Sequence, residues 1–246
     1  MNGGYTEAFT RSLDTITDQR LSKKDANEKK SMNTNLHVLE AFTALYQVWP
    51  YEAVKKKIAA LACNFLQHII NPVTHHQHLF FDEQWKPKSA TISYGHDIET
   101  AWLLQEAVQV IEDDELINEA KAEAVKIADA VRSGLDTDGG LWYEYESETK
   151  HLIKEKHSWP QAEAMVGYFN AYQNTNDQTY LDISWATWKF VQQYIHDKKN
   201  GEWHWGVNEN YKPMKEDKAG IWKCPYHNSR ACIEMIKRIN QLQQNN

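Results

Sequence analysis

GGLWYE at residues 139–144 and GEWHWG at 201–206 are two copies of one pattern: a turn that runs into a short alternating aromatic strand. HLFFDE at 78–83 and GGYTEAF at 3–9 follow it too. The last three copies start 61 and 62 residues apart, and a fixed period of this size marks an architecture of repeated units. Outward from each copy the apolar period changes from two to 3.6. Paired helices are predicted at about 33–48 with 51–70, 96–111 with 115–133 and 160–174 with 178–196, and a last helix at 226–242. In the first, Leu36, Leu39, Phe42, Ala44, Leu45 and Val48 keep helical spacing. Trp49-Pro50, Asn71-Pro72, Gly134 and Thr175-Asn176-Asp177 punctuate the pairs, and Pro160 suits a first helical turn.

Each unit therefore reads as strand, long loop, inner helix, short turn, outer helix. The expectation is one all-α domain over 1–246, either an open solenoid or a toroid of helix pairs. Aromatic strands on the same side of every unit favour the toroid, because one rim then gathers the loops. The inner helices point their N-termini at that rim. His37, His96, Trp159 and His227 lie in or just before those first turns, so residues distant in sequence are expected to meet in one funnel.

His37 and His96 are each followed three residues later by a glutamate, Glu40 and Glu99. Residues three apart share a helix face, so each pair presents an imidazole beside a carboxylate. Imidazole exchanges protons near neutral pH, and the positive end of a helix favours its neutral form. Ten tryptophans and twelve tyrosines supply packing residues, but several lie in loops beside glycine and proline, where a ring can stack on the apolar face of a sugar. His37/Glu40, His96/Glu99 and Cys224/His227 could also ligate a metal. The order is reversed from the Glu-x-x-His of di-metal bundles, and no metal site is expected. THHQH at 74–78 is expected to be an exposed turn.

A formal net charge of −7 argues against nucleic acid as a partner. No apolar run reaches the length of a membrane span, and Asn2-Gly3-Gly4-Tyr5 is no signal peptide. Cys63, Cys224 and Cys232 are sparse and lack paired spacing, which suits reduced thiols and a cytoplasmic protein. Cys63 and Cys232 are expected in the core.

MNTNLHVLEAF (32–42), LFFDEQWKPKSATISYGHDIETAWLL (79–104), WPQAEAMVGYFNAY (159–172), GEWHWGV (201–207) and EDKAGIWKCPYHNSRACIE (216–234) together resemble the N-acylglucosamine 2-epimerase superfamily, and within it the cellobiose 2-epimerases. The resemblance implies an (α/α)6 barrel of twelve helices and interconversion of epimers at C2 of a reducing-end sugar, with no redox cofactor. His96 and His227 match the family's acid/base histidines. His37 matches a third, near O1 and O5 of the sugar. Trp159 and Trp222 match sugar-subsite tryptophans, and Asn33 matches an asparagine beside the third histidine. Glu99 is expected to hold the tautomer of His96, and Glu40 that of His37. The implied substrate is a β-1,4-linked disaccharide such as cellobiose, converted through an enediolate to glucosyl-mannose, with mannobiose and N-acetylglucosamine as alternatives. With about seven of twelve helices, the resemblance implies the C-terminal part of a barrel, a fragment lacking a family arginine from earlier helices. A sugar-binding fragment without turnover and an aldose–ketose isomerase are the competing expectations.

Overall fold

The computed structural model describes residues 3–20 and 26–244. Among them run α1 (Met32–Val48), α2 (Glu52–Asn64), α3 (Tyr94–Val110), α4 (Asp114–Val131), α5 (Ser158–Thr175), α6 (Gln178–Phe190) and α7 (Tyr226–Gln244). The expected pairs are all present. α2 and α6 each close with one π turn, Phe65–Ile69 and Val191–Ile195, and α4 closes with a 3-10 turn, Arg132–Gly134. Caps follow local chemistry. The side chains of Ser31, Asp113 and Asp177 accept the free N–H groups that open α1, α4 and α6, and Asn176 turns left-handed to end α5.

The aromatic segments are less regular than their alternation suggests. They supply only β2 (Phe80–Phe81), the start of β4 (Glu144–Glu146) and the start of β7 (Gly206–Val207); β1 (Lys30–Ser31), β3 (Thr91–Ser93), β5 (His151–Ile153) and β6 (Lys156–His157) come from elsewhere. The reason is a repeated tight loop. Single bridges join Phe9 to Thr15, Phe81 to Pro87 and Val207 to Pro213. Inside each loop, at the same place, Leu13, Trp85 and Tyr211 take φ of 67°, 65° and 59°. A bulky residue with positive φ is uncommon, and its recurrence shows the repeat in the backbone itself.

β1 pairs with β2, β3 with β4, and β6 with β7, all antiparallel. Each pairing ties the strand entering an inner helix to the chain leaving the next outer helix, so consecutive units lock together. The inner helices α1, α3, α5 and α7 form an arc, and α2, α4 and α6 back it. α3 and α5 are buried nearly all round, polar residues included, as befits interior helices. Gly167 lets them close: a Cβ there would meet Ile98 Cγ1 at 2.5 Å and Ile98 O at 2.7 Å. The two ends of the arc differ from its middle. α7 buries Ala231 and exposes Ile233, Ile236 and Ile239, while Val48 and Trp49 are exposed where α1 ends.

No helix among the described residues is long and apolar enough to cross a membrane. Cys63 and Cys232 are half-buried rather than core, because each sits at the edge of its helix's packed face; Cys224 is exposed and all three are free.

Candidate active site

His37, Glu99 and Glu163 each lie six residues beyond the residue at the N-cap position of their helix, namely Ser31, Ser93 and His157. Equal depth on three neighbouring inner helices puts them in one layer. α7 completes the layer with His227 and Arg230. The Arg230 guanidinium donates to Glu40 at 2.5 Å, to Glu99 at 2.7 Å and to Glu163 at 2.8 Å, and stacks over Tyr226 and Trp102 with its carbon 4.4 and 5.0 Å from the ring centres. Tyr226 also donates to Glu40.

The three histidines are supported differently. His227 Nδ1–H donates to Glu163 at 2.7 Å, which leaves Nε2 for the cavity. His37 Nδ1–H donates to Glu40 at 3.1 Å, as its spacing predicts. His96 Nδ1 is 2.8 Å from Ser93 Oγ. Glu99 therefore does not hold the His96 ring as expected. Its carboxylate is bound by Arg230 and lies 3.7 Å from His227 Nδ1, because Arg230 is a permanent cation within reach. Glu99 Oε2 is buried without a hydrogen-bond partner.

These contacts set the charges. Burial, reinforced by the nearby His37 and His227, pushes His96 down to about 3, so it is neutral at ordinary pH. Burial also acts to lower His37, but Glu40 and Glu99 together outweigh it and raise that imidazole. Burial and the neighbouring Glu163 raise Glu99. Glu163 is held low against its burial by Arg230 and His227, and Glu40 is held at about 2, again against burial, by His37 and Arg230. Glu99, Glu163 and His227 bring ligand atoms within 4.8 Å of one another, but the cation these carboxylates grip is the guanidinium of Arg230.

Above the layer, the Trp159 ring packs between His96 and His227, with centroid separations of 4.6 and 5.5 Å. Gly95 makes room for it, since a Cβ there would lie 2.5 Å from the Trp159 ring. Trp159 and Trp222 line one open cavity with Trp203, Trp205, Cys224 and His227. Asn33, half-buried in the first turn of α1, stands one turn rimward of His37. The structure thus brings His37, Glu99 and His227 into the layer around Arg230, packs His96 and Trp159 beside His227, and puts the exposed Trp222 on the cavity that Trp159 lines; Asn33 is placed by its helix position alone. Sequence reasoning missed Arg230, Glu163, Tyr226 and Ser93. Helical spacing held a signal for three of them: Arg230 follows His227 by three, Glu163 follows Trp159 by four, and Ser93 precedes His96 by three.

The model of the family described as N-acylglucosamine 2-epimerase (GlcNAc 2-epimerase) matches residues 7–231. A cellobiose 2-epimerase of Bacteroides fragilis is 44% identical over 96% of this chain and 60% of its own length. One from Dictyoglomus turgidum is 38% identical over the same shares, 96% and 60%. Among solved structures, a sugar epimerase from a ruminal bacterium superposes with a TM-score of 0.90 at 34% identity, covering 96% of this chain and 60% of that one. The chain therefore spans about three fifths of the length of the relatives it matches, and its helix pairs are of the (α/α)6-barrel type, here an arc of seven helices among the described residues.

Proposed function

The chain belongs to the N-acylglucosamine 2-epimerase family, and from that premise we propose that it epimerises C2 of the reducing-end glucose of β-1,4-linked disaccharides, cellobiose to glucosyl-mannose. The observation that carries this reading is a pair of imidazoles, His96 and His227, packed on the same tryptophan with different support: one half-buried and neutral beside a hydroxyl, the other backed by a carboxylate.

Inversion at C2 starts from the open-chain sugar. A base takes the C2 proton, the C–H electrons move into a C1–C2 double bond, and charge passes to O1 as an enediolate. A proton returned to the opposite face of C2 gives the epimer. No electron leaves the system, so no redox partner is required. Two groups on opposite faces are needed, each able to hold or lose one proton. His96 is neutral and can accept. His227 presents Nε2 to the cavity, with its Nδ1–H held by Glu163. In the reverse reaction the two exchange roles. His37, raised towards its cationic form, is suited to donate to O1 as negative charge develops there. Glu99 and Glu163 act through Arg230, holding α3, α5 and α7 in register beneath the sugar. Trp159 and Trp222 offer apolar faces for the two sugar rings, and Asn33 offers an amide to a hydroxyl.

Proton NMR of cellobiose incubated with the purified chain in D2O tests this. The expected result is loss of the C2–H signal of the reducing glucose and growth of the mannose-ended product. His96→Ala and His227→Ala should each slow it on the order of 10²- to 10⁴-fold. A ketose product would move the reading to an aldose–ketose isomerase. Tryptophan fluorescence that responds to cellobiose without any C2–H exchange would mean sugar binding without turnover.

A further inference from the structure

The turn Thr74-His75-His76-Gln77-His78 takes no part in the chemistry above, yet it grips the helix that carries His96. The Gln77 amide donates to the His96 carbonyl at 3.0 Å and accepts from Thr100 Oγ1 at 3.1 Å. The Gln77 main-chain N–H donates to Asp97 Oδ1 at 2.8 Å, and His76 Nδ1–H donates to Asp97 Oδ2 at 2.7 Å. Asp97 is fully buried, and the His76 side chain is 13% exposed.

The repeat supplies an internal control. Asn35, Asp97 and Gln161 each lie four residues beyond the N-cap position of α1, α3 and α5. Each accepts the main-chain N–H of the preceding turn, from Tyr5 at 2.9 Å, Gln77 at 2.8 Å and Leu141 at 2.7 Å. In α1 and α5 this staple is a neutral amide that also donates back, Asn35 to Tyr5 O at 3.4 Å and Gln161 to Leu141 O at 2.8 Å. A carboxylate cannot donate back. So α3 keeps the staple but exchanges the amide for a buried acid that needs a partner, and His76 is that partner. A neutral amide accepts the same main-chain N–H without burying an acid, so the staple itself does not call for a carboxylate.

We propose that His76 and Asp97, with Gln77, are positioning residues for His96: together they fix the first turn of α3, and with it the place of the His96 imidazole beside Trp159 and the reacting carbon. The proposal rests on the epimerase reading for its kinetic consequence but not for its geometry. Asp97→Asn restores the staple used in α1 and α5 and removes the carboxylate that accepts from His76. The variant should melt with the parent, yet lose kcat on cellobiose on the order of 10- to 100-fold, as small misplacements of a reacting group do, with KM little changed. His76→Ala should behave alike. His76→Gln, which keeps an N–H for Asp97, should recover most of the turnover. Independently of turnover, the ¹³C-edited imidazole resonances of His96 should move in Asp97→Asn and His76→Ala and stay in His76→Gln. In a chain that epimerises cellobiose, unchanged kcat in Asp97→Asn and His76→Ala overturns the proposal. In a chain that does not, the epimerase reading fails, and unmoved His96 resonances overturn the positioning role separately. Should Asp97→Asn fail to fold, the two His76 variants decide.

Discussion

His37 with Glu40 and His96 with Glu99 are the same four-residue pattern on neighbouring inner helices, and they are in opposite electrostatic states. On α1 the pattern closes on itself: Glu40 accepts from His37 and the imidazole is raised. On α3 it is split. Glu99 goes to Arg230, Ser93 takes the histidine, and burial pushes His96 to about 3. The cause is depth. His37 lies six residues beyond the N-cap position of its helix and His96 only three beyond that of its own. Glu99, not His96, therefore shares a layer with His37 and meets the guanidinium at its centre. A local motif names candidates; its register in the helix decides whom they meet.

The most severe way to break this comparison is to remove the centre. Arg230→Met strips three carboxylates of their shared cation, two of them almost wholly buried. Breaking a buried pair from one side costs about 3–5 kcal/mol, so the urea midpoint should fall steeply. Wild-type stability in this variant would mean that the layer is not held by charge.

Titration sharpens the comparison directly. By imidazole NMR, His37 should protonate above the ordinary 6.5, and His96 only near 3. The two give opposite stability slopes. His37, raised in the fold, contributes stability that is full below 6.5 and lost as pH rises through its higher folded value. His96, lowered, contributes stability present above 6.5 and lost as pH falls towards 3. Glu40 behaves like His96, its share disappearing between 4.5 and about 2. Glu40→Gln should bring the His37 midpoint down while leaving His96 where it is; coincident midpoints in the parent chain would collapse the distinction.

The gentlest probe compares two serines at one repeat position. Ser31 caps α1, accepting from Thr34 N at 3.0 Å. Ser93 makes no such cap and turns to His96 instead. Ser31→Ala should cost about 1 kcal/mol of stability and leave His96 unchanged. Ser93→Ala should cost less but shift the tautomer balance of His96, read from its ¹⁵N resonances. Equal stability losses would mean that Ser93 caps after all.

The helices were legible because their signals are local: apolar spacing, Pro160 at a first turn, Asn176 at an end. The aromatic strands were only half legible. Alternation marks Phe80 and Trp203 well enough, but it does not report the left-handed turns at Trp85 and Tyr211 that cut the ladders short. The site divided the same way. His37, His96, His227, Trp159 and Trp222 stand out in sequence by type and place, while Arg230 and Glu163 read as ordinary helix-surface charges.

By itself, the sequence determined that this chain is a series of helix pairs with its histidines at the inner N-termini, because period and punctuation act over a few residues. Which carboxylate serves which histidine was decided only by tertiary structure. That choice depends on which side chains share a depth across helices far apart in the chain, and on a single buried guanidinium for which three carboxylates compete.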